Sequence, residues 1–378
     1  MSSVLTEVSV IVPTYKEREN IVELAKRLDE AMREHGIDYE LVVVDDNSPD
    51  GTAEAAMSMR DKVSGKIKVI VRKNERGLAS AVLRGFKEAE GRYLIVMDAD
   101  LQHPPEVVPK VVEKLREGCD IVVASRYTKE GGVQDWSLIR RIISKGATWL
   151  AWIFLPRIRG VTDPMSGFFG LRREIIEENM RKGNLNPKGF KILLEILAKA
   201  KYEKICEVPY VFQKRFKGES KLDQKVMMEY LIHLIKLAKE TGELRRMITF
   251  ATIGAGGVVV NEGTLYLFYE LLGLKGLREL GLVLSAVAGF EASVIFNFIL
   301  HETITFREFV KRKDLMSRLK RLFHYHNASV AGLVVQVGTL VILTNLGVYY
   351  LLANLIGIFL GLGVRYSLSV LKAWGTHS

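Results

Sequence analysis

Cysteine is nearly absent: Cys119 and Cys206 are the two in 378 residues. So few exclude a disulfide-stapled scaffold and a cysteine-rich metal cluster, and neither lies near a pairing motif. Both read as small buried apolar residues, compatible with a reducing compartment. Proline is sparse at nine, and the 32 glycines follow no period, which excludes collagen and low-complexity scaffolds. The N-terminus, "MSSVLTEVSVIVPTYKEREN", lacks the basic start and long apolar core of a signal peptide and runs straight into a strand. Apolar residues, by contrast, are in excess. Hydrophobic residues make up 48% and mean hydropathy is +0.11 although 26% of residues are charged. That excess must be concentrated in one part of the chain. Lys and Arg outnumber Asp and Glu by 54 to 44, for a net charge of +10. Such a balance suits nucleic acid, anionic lipid or phosphorylated substrates, and composition alone does not choose among them.

The length accommodates two domains. Residues 8–212 alternate short β-branched runs with helical patterns. Strands are expected at 8–15, 39–46, 66–72, 93–100, 120–127 and 206–212. Most are continuous apolar runs, as when both faces of a sheet are covered. Helices are expected at 20–35, 52–63, 78–90 and 105–117, the last opened by Pro104 and Pro105. This order predicts an α/β, mostly parallel sheet with its ligand site beyond the carboxyl ends of the strands. Two amphipathic stretches, 136–155 and 222–240, are rich in Trp, Met, Ile and Leu on one face and in Lys and Arg on the other, as expected of helices at a membrane interface. After Arg246 come four long apolar stretches, roughly 248–271, 280–300, 328–346 and 348–371, each long enough to span a bilayer. "GAGG" (254–257) and "GIFLGLG" (357–363) suit close helix packing in lipid. Glu262, Glu291 and Arg365, being ionisable, should face the bundle interior or an interface. The loop 301–326 carries seven Lys or Arg against three acids, which marks it as cytosolic. Four spans would place the N-terminal domain on the same side. The expected organisation is therefore a catalytic domain over 1–220, an amphipathic linker over 221–246 and an all-α membrane domain of four transmembrane helices over 247–378.

The strand ends carry the chemistry. After the first strand come Pro13, Tyr15 and Glu17; at the tip of the second lie Val44, Asp45 and Asp46, then the turn Ser48–Gly51. A carboxylate at Asp46 can accept from a ribose diol or a base N–H, whereas Asp50 and Thr52 read as turn and cap chemistry. After the fourth strand, "MDADLQHPP" sets Asp98, Asp100 and Gln102 on one side of an extended chain. Three hard oxygen donors at that spacing suit Mg²⁺ or Mn²⁺ held together with substrate phosphates. His103 could ligate, but a structural role beside the carboxylates is the better reading. The fifth strand ends at Arg126, and "TKEGGVQD" (128–135) reads as a mobile loop over the site. Arg140 and Ser144, four apart on a helix, share a face and could cradle a second phosphate with Arg126. Asp163, in "VTDPMSGFF", lies toward that acceptor side, and Arg215 and Lys221, in the basic loop 213–221, could clamp a diphosphate.

The ordered set "VPTYKERENI", "DDNSPDGT", "GLASAVLRGFKEAEG", "MDADLQHPPE", "ASRY", "RRIISKGA" and "GESKL" resembles the family-2 glycosyltransferases of GT-A fold over about residues 8 to 240. Within them it is similar to the dolichyl-phosphate mannose synthases. The apolar region resembles the GtrA-type membrane modules. The QxxRW of processive polysaccharide synthases is absent. The resemblance implies a GT-A (Rossmann-like) catalytic domain that moves mannose from GDP-mannose to dolichyl phosphate with inversion at the cytosolic membrane face. It implies Mn²⁺ or Mg²⁺ on Asp98, Asp100 and Gln102 with the Ala99 backbone alongside. Pro13, Tyr15, Glu17, Val44 and Asp46 would line the guanosine pocket, Arg215 and Lys221 would hold the donor phosphates, and Arg126, Arg140 and Ser144 would receive the lipid phosphate. Catalysis would rest on Asp100, Arg126 and Arg140. Membrane lipids are the expected surroundings, with no nucleic acid and no obligatory protein partner. Two alternatives remain open from the residues: a UDP-glucose-dependent polyprenyl-phosphate glucosyltransferase, and a non-enzymatic lipid flippase or transport subunit.

Overall fold

The structure, a computed structural model, describes residues 6–134, 137–187, 191–213 and 224–375. The chain divides into two units, Met1–Ala151 with Ile158–His233, and Trp152–Arg157 with Leu234–Ser378.

The first unit opens as a βα repeat: β1 (Val8–Thr14), α1 (Arg18–Glu34), β2 (Tyr39–Asp45), α2 (Thr52–Met57), β3 (Lys66–Val71), α3 (Leu78–Glu88), β4 (Tyr93–Val96), α4 (Val108–Arg116) and β5 (Ile121–Ser125). A two-residue strand β6 (Gly132–Val133) and the helix α5 (Leu138–Phe154) follow. Then come β7 (Phe169–Arg172), α6 (Arg173–Arg181), α7 (Ile192–Lys199), β8 (Ile205–Pro209), β9 (Val211–Phe212) and α8 (Gln224–Glu240). The main sheet has the order β3-β2-β1-β4-β7-β5-β8. All its neighbours are parallel except those of β7, which runs antiparallel between β4 and β5. Every residue of β2 and β4 is buried. That follows from helices on both faces, and removing each such Val, Ile or Leu from water stabilises by about 1.5–3 kcal/mol.

The strand order reverses at β1, which has β2 on one side and β4 on the other. The β1–β4 ladder stops at Ile11 and Val96, with one further bond from Met97 N to Ile11 O. Beyond it the two chains part, β1 toward Pro13–Tyr15 and β4 toward Asp98–Asp100. This is the crevice in which an open α/β sheet binds ligands. Pro13 is tolerated there because β4 no longer asks it for a backbone donor.

Two expectations are corrected. Cys119 and Cys206 are not two independent buried thiols but a disulfide, with Cα atoms 6.0 Å apart across a sequence separation of 87. Cys119 stands just before β5 and Cys206 lies in β8, its parallel neighbour. The pairing is made by strand order, which sequence spacing does not reveal. The segment 128–134 is not a loose loop either. Gly132–Val133 pairs in parallel with Val211–Phe212, and Gln134 N donates to Phe212 O at 3.1 Å. A Cβ on Gly131 would come within 2.6 Å of Ser125 O, so glycine lets the segment fold back on the end of β5.

In the second unit, α9 (Glu243–Tyr266), α10 (Glu279–Leu300), α11 (Leu315–Asn345) and α12 (Tyr350–Leu368) coincide with the four apolar stretches. Three of them, counted with their terminal turns as Glu279–Thr305, Leu315–Asn345 and Tyr350–Ala373, are long and apolar enough to cross a membrane. The fourth, α9, has 24 residues but begins in the polar sequence Glu243-Leu244-Arg245-Arg246 and includes Asn261 and Glu262. Glycine sets the helix contacts as expected. A Cβ on Gly361 of α12 would sit 2.6 Å from Gly332 O of α11, and one on Gly289 of α10 would sit 2.6 Å from Asn261 Oδ1 of α9. The ionisable residues Glu291 and Arg365 find partners on neighbouring helices: Glu291 pairs with His326 at 2.9 Å, and the Arg365 guanidinium donates to the Tyr325 hydroxyl.

Candidate active site

On the β1–β2 side, Pro13 and Val44, expected to line the guanosine pocket, stand in register on adjacent strands, with the Val44 side chain fully buried in the sheet. Tyr15, just past β1, is 45% exposed, with Lys16 and Arg76 over its ring at 5.4 and 5.6 Å, an open aromatic platform flanked by cations. Glu17 is anchored rather than loose: its N–H donates to Thr52 Oγ1 at 3.0 Å and its carboxylate accepts from Asn20 Nδ2 at 2.5 Å. Asp45 takes bonds from Thr14 Oγ1 and from both the N–H and the hydroxyl of Ser48, the turn chemistry of this segment. Asp46 has a partner that sequence reasoning did not foresee. The buried Arg72 donates to its Oδ1 from Nε at 2.8 Å and from Nη2, while Gly77 N donates to Oδ2 at 2.9 Å. Asp46 therefore ties the ends of β2 and β3 to the start of α3.

The turn after β4 is compact, not an extension of the strand. Leu101 has φ of +61°, which bends the chain between Asp100 and Gln102. The expected alternation along an extended chain thus does not apply; the three donors share a tight turn instead. Asp98 is half-exposed, whereas Asp100 is 7% exposed and accepts from Gln102 N at 3.1 Å. Gln102 is bound twice to Gln213: Nε2 donates to Gln213 O at 3.1 Å, and Gln213 N donates to Gln102 O at 3.1 Å. That clamp fixes where the basic loop begins. Arg215 and Lys221 lie outside the described residues. Among the described residues no three carboxylate, imidazole or thiol groups converge on one point. The two aspartates with Gln102 fit a Mg²⁺- or Mn²⁺-type ion that receives its other ligands from phosphate and water.

His103 is a structural residue. It is 2% exposed, packed among Phe168, Tyr210 and Phe212, and its Nδ1 accepts from Asp98 N at 3.0 Å. Burial pushes its pKa down from 6.5 to about 4. The neutral ring is the one the fold needs, so stability carried by His103 is complete above pH 6.5 and is lost as pH falls toward 4, by about 3 kcal/mol in all. Chemical denaturation at pH 7 and pH 4.5 checks this: His103→Gln should abolish most of the acid-side loss that this group causes.

The surroundings of Arg126 are organised by Asp163, which is fully buried. Its two oxygens take Arg126 Nη2 at 2.8 Å and Nε at 2.7 Å, and Oδ2 also takes Arg126 N at 3.2 Å. Burial works against the guanidinium charge, but the Asp163 hydrogen bonds and charge outweigh it and raise the Arg126 pKa. The next residue reaches the helix α5: Tyr127 OH donates to Ser144 Oγ at 2.6 Å. Tyr127 thus links Arg126 to Ser144: its ring centroid lies 5.5 Å from the Arg126 guanidinium and its hydroxyl donates to Ser144, with Arg140 one turn earlier on α5. A Cβ on Gly167, in the loop that leads into β7, would lie 3.1 Å from Asp98 Oδ2, so glycine lets that loop come close to the carboxylate without crowding it. Lys191 escaped sequence reasoning. Burial and the nearby Arg126 lower its pKa while Asp98 and Asp163 act in the other direction, which places its ammonium among these charges. It carried no motif that could have singled it out.

This carboxyl-end rim, with an acidic turn after β4 and a carboxylate-locked arginine after β5, belongs to a GT-A transferase whose chain continues into a membrane module. Residues 9–180 match glycosyl transferase family 2, and residues 249–374 match the GtrA/DPMS transmembrane domain. The chain is 48% identical over 370 residues to a dolichol-phosphate mannosyltransferase of Pyrococcus furiosus, covering 98% of this chain and 100% of that protein. It is 44% identical over 253 residues to the dolichol-phosphate mannosyltransferase of Saccharomyces cerevisiae, covering 65% of this chain and 92% of that one. The chain belongs to the dolichol-phosphate mannosyltransferases of glycosyl transferase family 2. Among solved structures it is similar to glucosyl-3-phosphoglycerate synthase from Mycobacterium tuberculosis, at 18% identity and a TM-score of 0.46 over 62% of this chain and 80% of that one. A mannosyltransferase from Pyrobaculum calidifontis, solved with GDP-Man and Mn²⁺, matches at 18% identity and a TM-score of 0.39 over 75% of this chain and 86% of that one.

Proposed function

We propose that the enzyme transfers mannose from GDP-mannose to dolichyl phosphate with inversion, at the cytosolic face of its membrane. The observation that carries this reading is that two unlike groups stand at the carboxyl ends of one sheet: the Asp98–Asp100–Gln102 turn after β4, and Arg126, held by Asp163, after β5. The first suits a diphosphate bound with a cation and the second suits a phosphate monoester. The Pyrococcus furiosus relative, which matches along 98% of the chain, is a dolichol-phosphate mannosyltransferase, which supports the lipid acceptor.

In this reading Pro13 and Val44 line the guanosine, Tyr15 stacks on it, and Glu17 and Asp46 hold its polar rim. Asp98, Asp100 and Gln102 would hold Mg²⁺ or Mn²⁺ for the diphosphate, with Ala99 alongside, and Arg215 and Lys221 would supply cationic charge for the donor phosphates. A cation bound there would supply charge neutralisation for the departing diphosphate. The acceptor is largely ionised at neutral pH and needs no general base. One of its oxygens attacks the anomeric carbon from the face opposite GDP, and the pair of the breaking C–O bond leaves with GDP. Arg126, Arg140 and Ser144 hold that acceptor in line and offset the repulsion between two anions. The exposed Leu138 and Ile142 of α5, and Met227, Met228 and Ile232 of α8, would rest among lipid headgroups, which lets a hydrocarbon-anchored phosphate reach the site. The basic loop 301–326 supports the cytosolic orientation.

Steady-state kinetics on Arg140→Ala tests the division of labour. We expect KM for dolichyl phosphate to rise ~10-fold, the worth of one charged hydrogen bond, with KM for GDP-mannose nearly unchanged. Equal losses for both substrates would contradict the assignment of Arg140 to the acceptor.

A further inference from the structure

The membrane module has a cavity that the transfer reaction does not use. It has a volume of about 640 Å³ and lies between the first turns of α9 and the segment that follows α10. Its charged lining is Arg245, Arg246, Arg307 and Glu308. Arg246 is already neutralised: it pairs with Glu308 at 2.7 Å and with Glu243, and its guanidinium lies 4.7 Å from the Phe309 ring centroid. Arg245 and Arg307 are exposed and make no ion pair among the described residues. Two uncompensated guanidinium groups around a cavity form an anion site. Its depth is that of a headgroup, because Ile304 and Thr305 at its edge are the last residues of the membrane-crossing helix Glu279–Thr305.

A second cavity of about 260 Å³ shares Arg245 and Thr249 with the first and is lined besides by Leu244, Ile248 and the exposed Lys239, a further cation at its edge. Ile248 and Ile304 are each 59% exposed. A polar pocket thus opens beside an apolar one, at the level where a phospholipid changes from phosphate to hydrocarbon. We propose that this pair of cavities binds an anionic glycerophospholipid of the surrounding membrane, its phosphodiester between Arg245 and Arg307 and one chain along Leu244 and Ile248. The site shares no residue with the acceptor phosphate site proposed at Arg126, Arg140 and Ser144, and it stands whether or not the donor is GDP-mannose.

The test uses the full chain, delipidated in a neutral detergent, with thermal unfolding measured on addition of phosphatidylglycerol, phosphatidylcholine, dolichyl phosphate or inorganic phosphate. Phosphatidylglycerol should raise Tm by several degrees, phosphatidylcholine and inorganic phosphate should give little, and any shift with dolichyl phosphate, which occupies the acceptor site, should survive in the variant below. In Arg245→Gln/Arg307→Gln the concentration needed for half that shift should rise at least 10-fold, while Tm without lipid and turnover on solubilised substrates stay as they were; Arg245→Lys/Arg307→Lys should retain most of the effect. A shift that survives the double Gln variant overturns the site. Equal protection by phosphatidylcholine overturns the anion selectivity. Protection by inorganic phosphate alone, or by dolichyl phosphate and lost in the variant, overturns the choice of membrane phospholipid as occupant.

Discussion

Asp100→Asn should lower mannosyl transfer by ~10³-fold, the scale of losing an electrostatic group that acts on a developing charge. The substitution is nearly isosteric. The amide oxygen would still accept from Gln102 N, so the turn set by Leu101 and the clamp from Gln102 to Gln213 should survive. What disappears is one of two negative charges facing the diphosphate. Two readouts separate this from a folding defect: thermal unfolding should be close to wild type, and Mn²⁺ should no longer tighten GDP binding in calorimetry. A variant that keeps most of its turnover and its metal-enhanced binding would remove Asp100 from the cation site.

Asp163→Ala should be the most damaging single change in the acceptor wall, with a stability cost of about 3–5 kcal/mol. The side chain of Asp163 is 0% exposed and that of Arg126 is 12% exposed. Deleting the carboxylate leaves a buried guanidinium without its bidentate partner. The cycle Arg126→Met, Asp163→Val and both together separates stability from function. The double variant should recover much of the stability that Asp163→Val loses, because no charge is left buried alone, and should remain inactive because the acceptor arginine is gone. If Asp163→Val unfolds no more readily than wild type, the pair contributes little and Arg126 needs no lock. Asp163 is in this account a positioning residue, and the matching readout is a rise in KM for the lipid phosphate in any variant that stays folded.

The residues at the crevice were legible because chemistry-bearing side chains follow strands, and strands of a doubly covered sheet announce themselves as apolar runs. Val8–Thr14, Tyr39–Asp45 and Tyr93–Val96 were found that way, and with them Pro13, Tyr15, Val44, Asp98 and Asp100. The helices α5 and α8 fell where amphipathic spacing put them. Strand β7 was not legible: four residues, Phe169–Arg172, pass directly into a helix and leave no period to detect. What depends on strand order was equally hidden. The Cys119–Cys206 disulfide, the Arg72 partner of Asp46 and the bidentate grip of Asp163 on Arg126 each join residues 26 to 87 positions apart. Local sequence has no term for such pairs. Glu291 and Arg365 were visible as ionisable residues in apolar spans, but their partners His326 and Tyr325 became evident only from the packing of the helices.

The central claim is that one crevice joins a cation-bound GDP-sugar to a lipid phosphate. The measurement that tests it most directly is transfer of radiolabelled mannose by the purified full chain in detergent. GDP-mannose and UDP-glucose would be offered in parallel with dolichyl phosphate, with Mn²⁺ and with EDTA. The account predicts label in the lipid fraction from GDP-mannose, lost in EDTA and restored by excess Mn²⁺. Transfer that is indifferent to EDTA, transfer from UDP-glucose alone, or GDP-mannose bound without transfer would contradict it.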